Sequence, residues 1–373
     1  MGNHAQLEVL AFTDPVCTWC WGSEPVLRKL ETWYGEQVNL RYVMGGLVKD
    51  IRAFYDSAND IGDDPERSNL QIARHWLEAS ERHGMPVQTD GFRLFTTETV
   101  STYPQNIAFK AAELSNPELA SRYLRSIREA SAAEARETGC REVLIELASE
   151  IGLDVATFIG HLNDGSAESA FNEDQELTRR YGVRGFPTFA FRVGKRELKL
   201  GGYQDFKAIQ AVIHTLGGGS IQGRPPAKSS EDVLAFLRKY GRAAPVEVTT
   251  VFELTPKEME ETVAVLNEKG RIRCVVAGNG YFLEPVAVGQ VCDAKTGMCN
   301  VWQCVGGLTR KAIGLGHTGE YSCEKSSFLN LLPSTGLCKR RADRRKIPTA
   351  VSTMAAGLCR LPTSGLAPSC RNR

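Results

Sequence analysis

Cys17-Thr18-Trp19-Cys20 is the string in this 373-residue chain whose residue types and spacing most directly suggest chemistry. Two cysteines with two residues between them have their sulfurs within disulfide reach when they open a helix. There, free backbone N–H groups and the positive end of the helix dipole favour a thiolate. The first cysteine, exposed at the turn, would attack a disulfide. The second would attack the resulting mixed disulfide and release the substrate. The same spacing suits zinc, which needs two further ligands. Within residues 1–225 the only other cysteine is Cys140, and no histidine lies at a paired short spacing with it, which favours redox chemistry and no metal.

A second string, Gly185-Phe186-Pro187-Thr188, stands about 170 residues later at the entrance to an apolar run. A proline there cannot donate to a strand ladder and is a candidate for a cis peptide. Facing the cysteines, it would block metal capture and present the backbone of Phe186 to a substrate chain. Trp19 and Trp21 could add an apolar docking surface beside Cys17, although Trp21 suits a core equally well. Arg184 reads as a solvated loop residue, and His75, His83, His161 and His214 show no metal-ligand spacing.

The elements that must position these strings can be traced along the chain. Leu7, Val9, Leu10 and Phe12 form a short strand ended by Thr13-Asp14-Pro15. Val26, Leu27, Leu30, Trp33 and Tyr34 then fall at helical spacing up to Gly35, and residues 38–43 alternate as a strand. Residues 48–180 are mostly helical, with a start signal at Ser115-Asn116-Pro117-Glu118. Strands return at 188–193 and 197–200, followed by a helix over about 204–216. The order is β-α-β, a long helical insertion, then β-β-α. It is an α/β pattern of thioredoxin type carrying a helical lid.

Asp14-Pro15-Val16-Cys17-Thr18-Trp19-Cys20-Trp21-Gly22, with Gly182-Val183-Arg184-Gly185-Phe186-Pro187-Thr188-Phe189, resembles the DsbA family in its cytoplasmic FrnE-like branch of dithiol-disulfide isomerases. The resemblance covers about residues 5–217. It implies a thioredoxin fold with a helical insertion, Cys17 as nucleophile, Cys20 as resolving thiol and Pro187 as the cis-proline of a substrate groove lined by Phe186. Partners would be disulfide-containing proteins or low-molecular-weight thiols, and no organic cofactor is required. Thr18-Trp19 stands between the cysteines where the exported, oxidising members carry Pro-His, so the direction of exchange stays open. Other relatives on this fold serve as adaptors that hand a regulator to a protease, which supplies an alternative reading with the cysteines as a redox sensor.

Gly217-Gly218-Gly219-Ser220 through Arg224-Pro225-Pro226 reads as a linker between a first domain, 1–222, and a module over 228–290. Helix signals at 230–240, 245–253 and from Thr255, then a hairpin around Gly278-Asn279-Gly280, resemble a winged helix. Glu258, Glu260 and Glu261 crowd its would-be recognition helix, which disfavours nucleic acid. Cys292 and Cys299 form a further spaced pair that could act as an auxiliary disulfide or stay as free thiols.

Charge separates the chain's two ends. The total is 45 basic against 44 acidic side chains, yet residues 300–373 carry 12 against 3, so the tail is +9 and the rest −8. That tail has no sustained periodicity and reads as disordered. The absence of eighteen consecutive apolar residues argues against a membrane span, and the first residues lack an export signal, so a cytoplasmic location is expected.

Overall fold

A computed structural model describes residues 6–286. The chain opens with strand β1 (Leu7–Thr13), a short helix α1 (Thr18–Gly22), helix α2 (Glu24–Tyr34) and strand β2 (Val38–Met44). A two-stranded ribbon of β3 (Tyr55–Asp56) and β4 (Ile61–Gly62) leads into the helical insertion. Its helices are α3 (Pro65–His83), α4 (Tyr103–Ser115), α5 (Pro117–Ala132), α6 (Arg141–Glu150), α7 (Val155–Asn163) and α8 (Ser166–Arg180). Strands β5 (Thr188–Val193) and β6 (Arg196–Gly201) and helix α9 (Phe206–Gly217) complete a thioredoxin fold. Beyond it come α10 (Ser230–Tyr240), α11 (Pro245–Phe252), α12 (Pro256–Glu268) and a hairpin of β7 (Ile272–Ala277) and β8 (Gly280–Pro285).

The main sheet has the order β2-β1-β5-β6, with β1 parallel to β2 and antiparallel to β5. Alternation along β1 decides what packs where. Leu7, Val9 and Ala11 face α2 and α9, burying against Leu27, Leu30, Ile209 and Ile213. Phe12 faces the other way, onto Val43 and Ala190. Each such fully buried aliphatic or aromatic side chain contributes about 1.5–3 kcal/mol of transfer free energy.

Register then assembles the site. Thr13 pairs with Met44 and Phe12 with Thr188, so the segments after β1, after β2 and before β5 all emerge at one end of the sheet. The two cysteine and proline strings, distant in sequence, are therefore neighbours.

The insertion is built on small residues and caps. Ala108, Ala111 and Ala112 of α4 let Tyr123, Ile127, Leu144 and Phe158 approach closely. Asn116 caps α5 through its Oδ1, which accepts from the Glu118 N–H at 3.0 Å, with Pro117 as the first helical residue.

The last three helices and the hairpin share a core of Val233, Leu237, Val251, Phe252, Val263 and Leu283. They lie in the same compact unit as the thioredoxin fold. α11 packs on α2, where the Trp33 indole N–H donates to the Val251 carbonyl at 2.8 Å. The 217–226 stretch, whose composition suggests a free spacer, is tied down. The Arg224 N–H donates to the Trp33 carbonyl at 2.7 Å, and Gln37 bonds the Gln222 backbone through both its amide atoms. Among the described residues, no helix is long and apolar enough to cross a membrane.

Candidate active site

Helix α1 starts where the β1 strand ends in a fixed turn. Asp14 fixes it: its Oδ1 accepts from the Val16 N–H at 2.9 Å. Its Oδ2 accepts from the Leu47 N–H at 2.7 Å, the Thr102 hydroxyl at 3.1 Å and the Asn106 amide at 2.8 Å. One carboxylate thus ties together the loops after β1 and β2 and the start of α4. Burial raises its pKa above the ordinary range, against the pull of those donors.

Cys17 is the N-cap of α1. Its backbone is extended, at φ −84° and ψ 119°, and its Sγ accepts from the Cys20 N–H at 3.4 Å. The same sulfur lies 3.6 Å from the Phe186 carbonyl oxygen, which can accept the thiol proton. Phe186 and Pro187 are joined by a cis peptide bond. Both cysteines are free thiols.

Cys17 differs from the expected turn-exposed position. It is 6 % exposed and opens onto an apolar cleft of about 240 Å³ rather than onto bulk water. The walls of that cleft include Trp19, Leu47, Ile51, Ile72, Phe95 and Phe186. His75, Asp56 and Asn59 give it a polar edge. Beyond Trp19, Phe186 and His75, none of these residues stood out in the sequence, because each is an ordinary apolar or polar residue of the loop after β2 or of the insertion.

Trp19 lines the same cleft as Cys17, its ring 5.8 Å from that of Tyr203 and edge-on to His75 and His83. Trp21 does not line a groove. It is 1 % exposed, its indole N–H donates to the Pro86 carbonyl at 3.0 Å, and its ring packs against both the Arg125 guanidinium and Phe282. Residues 19 and 21 of one helix point about 200° apart around its axis, so they cannot serve the same surface. Pro187 is buried, and its carbonyl accepts from the Gly202 N–H at 2.8 Å. Arg184 is exposed. Cys292 and Cys299 lie outside the described residues.

Behind α1 stand groups that no motif signalled. Gly22 packs directly on His83, where an added Cβ would come within 2.5 Å of the imidazole. His83 Nδ1 accepts from the Met85 N–H at 3.1 Å, and its Nε2 faces the Thr18 hydroxyl at 3.5 Å. Burial pushes its pKa down to about 4, so the ring is neutral near pH 7.

Beneath Cys20 lies Arg128, 1 % exposed. It donates to the Thr13 hydroxyl at 2.5 Å and to a Glu24 carboxylate oxygen. Burial opposes the ionisation of Glu24, yet Arg128, Arg125 and Arg28 hold its carboxyl down to about 2.

The two thiols titrate as a pair. Their mutual hydrogen bond, then burial, holds the second proton well above the ordinary thiol range. Burial also opposes loss of the first proton, but the Cys17 hydrogen bond, the Arg128 charge and the Thr13 hydroxyl outweigh it and lower that pKa. The arrangement therefore stabilises one negative charge shared by two sulfurs. Among the described residues, no group of three or more His, Cys, Asp or Glu side chains could hold a metal ion.

A thioredoxin fold with a helical insertion, a dithiol at the start of α1 and a proline loop facing it defines a protein of the thioredoxin class. The sequence profile described as Thioredoxin matches residues 10–211, and the chain belongs to that family. The ClpXP adapter protein SpxH of Halalkalibacterium halodurans is 30% identical over 282 residues, 74% of this chain and 88% of that protein. SpxH of Shouchella clausii is 28% identical over 282 residues, 74% of this chain and 87% of that protein. Among solved structures, the cytosolic disulfide reductase DsbM of Pseudomonas aeruginosa is similar at 24% identity and a TM-score of 0.45. That match covers 56% of this chain and 97% of DsbM.

Proposed function

We propose that this chain is a cytoplasmic thiol-disulfide oxidoreductase or isomerase acting on protein or small-molecule disulfides. Cys17 attacks, Cys20 resolves, and Trp19, Phe186 and Pro187 form the groove. The observation that carries the reading is the environment of Cys17 Sγ. It is held by the Cys20 N–H at 3.4 Å, lies 3.6 Å from the Phe186 carbonyl and opens onto the apolar cleft.

In the reductive direction, the Cys17 thiolate forms a bond to one substrate sulfur while the substrate S–S bond breaks. The departing sulfur takes a proton. Cys20, giving up its own proton, then attacks the Cys17 sulfur of the mixed disulfide. The second substrate sulfur leaves as a thiol, and the chain keeps both lost electrons' worth of oxidation as a Cys17–Cys20 disulfide. Oxidation of a dithiol substrate is the reverse.

The test is a Cys20→Ala variant challenged with oxidised substrates and separated without reductant. Mixed disulfides through Cys17 should accumulate in it. Failure to trap any, together with no insulin reduction by the unsubstituted chain, would overturn the enzyme reading.

A second reading is favoured by the extent of the similarity to the adapter proteins. It spans 74% of this chain and so runs past the thioredoxin match at 10–211. In that reading the chain is an adaptor that presents a regulator to a protease, with the cysteine pair sensing oxidation. Pulldown of a partner that survives a Cys17→Ser/Cys20→Ser double substitution, with no catalytic turnover in the unsubstituted chain, would select it.

A further inference from the structure

The C-terminal module reaches the cysteine pair through buried charge. Glu247, near the start of α11, has a fully buried side chain. Its Oε1 accepts from Arg28 Nε at 2.8 Å and from an Arg125 terminal nitrogen at 2.9 Å. Its Oε2 accepts from the other Arg125 terminal nitrogen at 2.8 Å and from the Ala244 N–H at 2.7 Å. Arg125 also donates to Glu24 at 3.3 Å and to Glu129 at 2.5 Å, and Glu24 in turn takes Arg128. Arg128 donates to Thr13, the residue that ends β1 beside the cysteines. Its Nε, also buried, has no hydrogen-bond partner. A hydroxyl that accepts from a guanidinium has its own proton free to give, and Thr13, with the Arg128 charge, favours ionisation of Cys20.

A second contact runs along the same line. Trp21, next to Cys20, stacks on Arg125 at 4.5 Å and meets Phe282 of β8 edge-on at 6.4 Å. The module therefore touches both the charges behind the cysteines and the helix that carries them.

The charges have a definite balance. Arg28, Arg125 and Arg128 face Glu24 and Glu247, with Glu129 shared between Arg125 and Arg242. Tyr42 lies across from Arg128 at 5.7 Å and stays neutral. Asp14 is the remaining acid near the sulfurs. Cationic charge stabilises a thiolate and has no such effect on a neutral disulfide.

We propose that α11, through Glu247, sets the charge balance beneath the cysteine pair and so tunes its reduction potential, making the C-terminal module a regulator of thiol exchange. This rests on the reading of Cys17 and Cys20 as redox-active. Taking the charge off Glu247 leaves Arg125 to draw on Glu24. Glu24 then compensates Arg128 less, and the reduced, anionic pair gains relative to the disulfide. By linkage, oxidation of the pair to a disulfide, with its electrons passing to a substrate disulfide, alters the docking of α11 by the same free energy.

The test uses the full chain carrying Glu247→Gln. Alkylation of the Cys17 peptide by iodoacetamide is followed against pH by mass spectrometry. The dithiol-disulfide ratio of the Cys17–Cys20 peptide is read across glutathione buffers. The alkylation midpoint should fall by about half a pH unit, and in glutathione buffers held at a pH above both midpoints the equilibrium should move roughly threefold toward the dithiol, the same free energy in both readouts. Glu253→Gln, which removes only the half-exposed partner of Lys29 on the same interface, should move neither.

Glu129→Gln, at the other side of Arg125, should shift both readouts in the same direction as Glu247→Gln, and it decides the matter should the latter fail to fold. A folded Glu247→Gln or Glu129→Gln protein with unshifted values would overturn the inference. An unsubstituted pair that forms no disulfide in any glutathione buffer would instead overturn the redox reading, while the alkylation midpoints still test the charge balance.

Discussion

The Cys17 sulfur and the Phe186 carbonyl oxygen lie 3.6 Å apart across 169 residues of chain, and the contact depends on a glycine in neither motif. The Phe186 ring occupies the space where a Cβ on Gly45 would stand, 1.9 Å from its Cζ. Gly45→Ala should therefore displace the ring and move the carbonyl off the sulfur. Overpacking of this kind costs about 1–3 kcal/mol, and a matching loss would slow thiol exchange by roughly tenfold or more. Adding Phe186→Ala to Gly45→Ala should restore part of the stability without restoring exchange. Insulin reduction and thermal melting of the three variants check this, and a Gly45→Ala protein with unchanged rate and melting would contradict it.

The two tryptophans of α1 should separate cleanly. Trp21→Ala empties a core site against Arg125 and Phe282 and should cost about 3–5 kcal/mol in a urea titration. Trp19→Ala, at the half-buried cleft wall, should leave stability within about 1 kcal/mol. It should raise KM for protein disulfides several-fold instead. Equal destabilisation by both substitutions would refute the assignment.

Much of the fold was legible because its signals are local. Short apolar runs give β1 and β5, alternation gives β2, helical spacing gives α2, and Asn116-Pro117 marks the start of α5. The cysteine string and the proline string are contiguous, so both could be read before their juxtaposition was known. The cleft walls could not, since Leu47, Ile51, Ile72 and Phe95 differ from other buried residues only in what they happen to face. The charges were hidden for the same reason. Nothing in the local sequence distinguishes Arg128 or Glu247 from the surface ions of an amphipathic helix, and only the packing of α5 and α11 against α2 buries them. Trp21 was ambiguous because α1 is five residues long, too short to show which face is apolar.

His83 should make the fold acid-sensitive. Its folded pKa of about 4 lies below its unfolded value of 6.5, so the unfolded chain binds more protons between those values. The stability it contributes is complete above pH 6.5 and is lost as pH falls toward 4, up to about 3 kcal/mol in all. Glu24, held down to about 2, adds a second loss as pH falls from 4.5 toward 2. His83→Asn can keep an acceptor for the Met85 N–H and removes the titrating ring. Urea titrations of both proteins at pH 7, 5.5 and 4.5 should show a smaller decline in the variant. Parallel declines would contradict the assignment.

Removing the Glu247 side chain altogether tests the interface more harshly than neutralising it. Glu247→Ala leaves Arg28 and Arg125 buried, at 8% and 7% side-chain exposure, without the carboxylate that both meet. Two desolvated cations then face each other across α2 and α5. Breaking one partner out of a buried ion pair costs about 3–5 kcal/mol, whereas an exposed pair is worth about 0–1 kcal/mol. Glu253→Ala, whose carboxylate meets Lys29 from a side chain that is 57% exposed, should therefore cost less than about 1 kcal/mol. Limited proteolysis between α9 and α10 should speed up in Glu247→Ala, because the arginines it strands are those that clamp α11 to α2 and α5. An equal and small effect of the two substitutions would mean that apolar contact such as Trp21 on Phe282, rather than this carboxylate, holds the module in place.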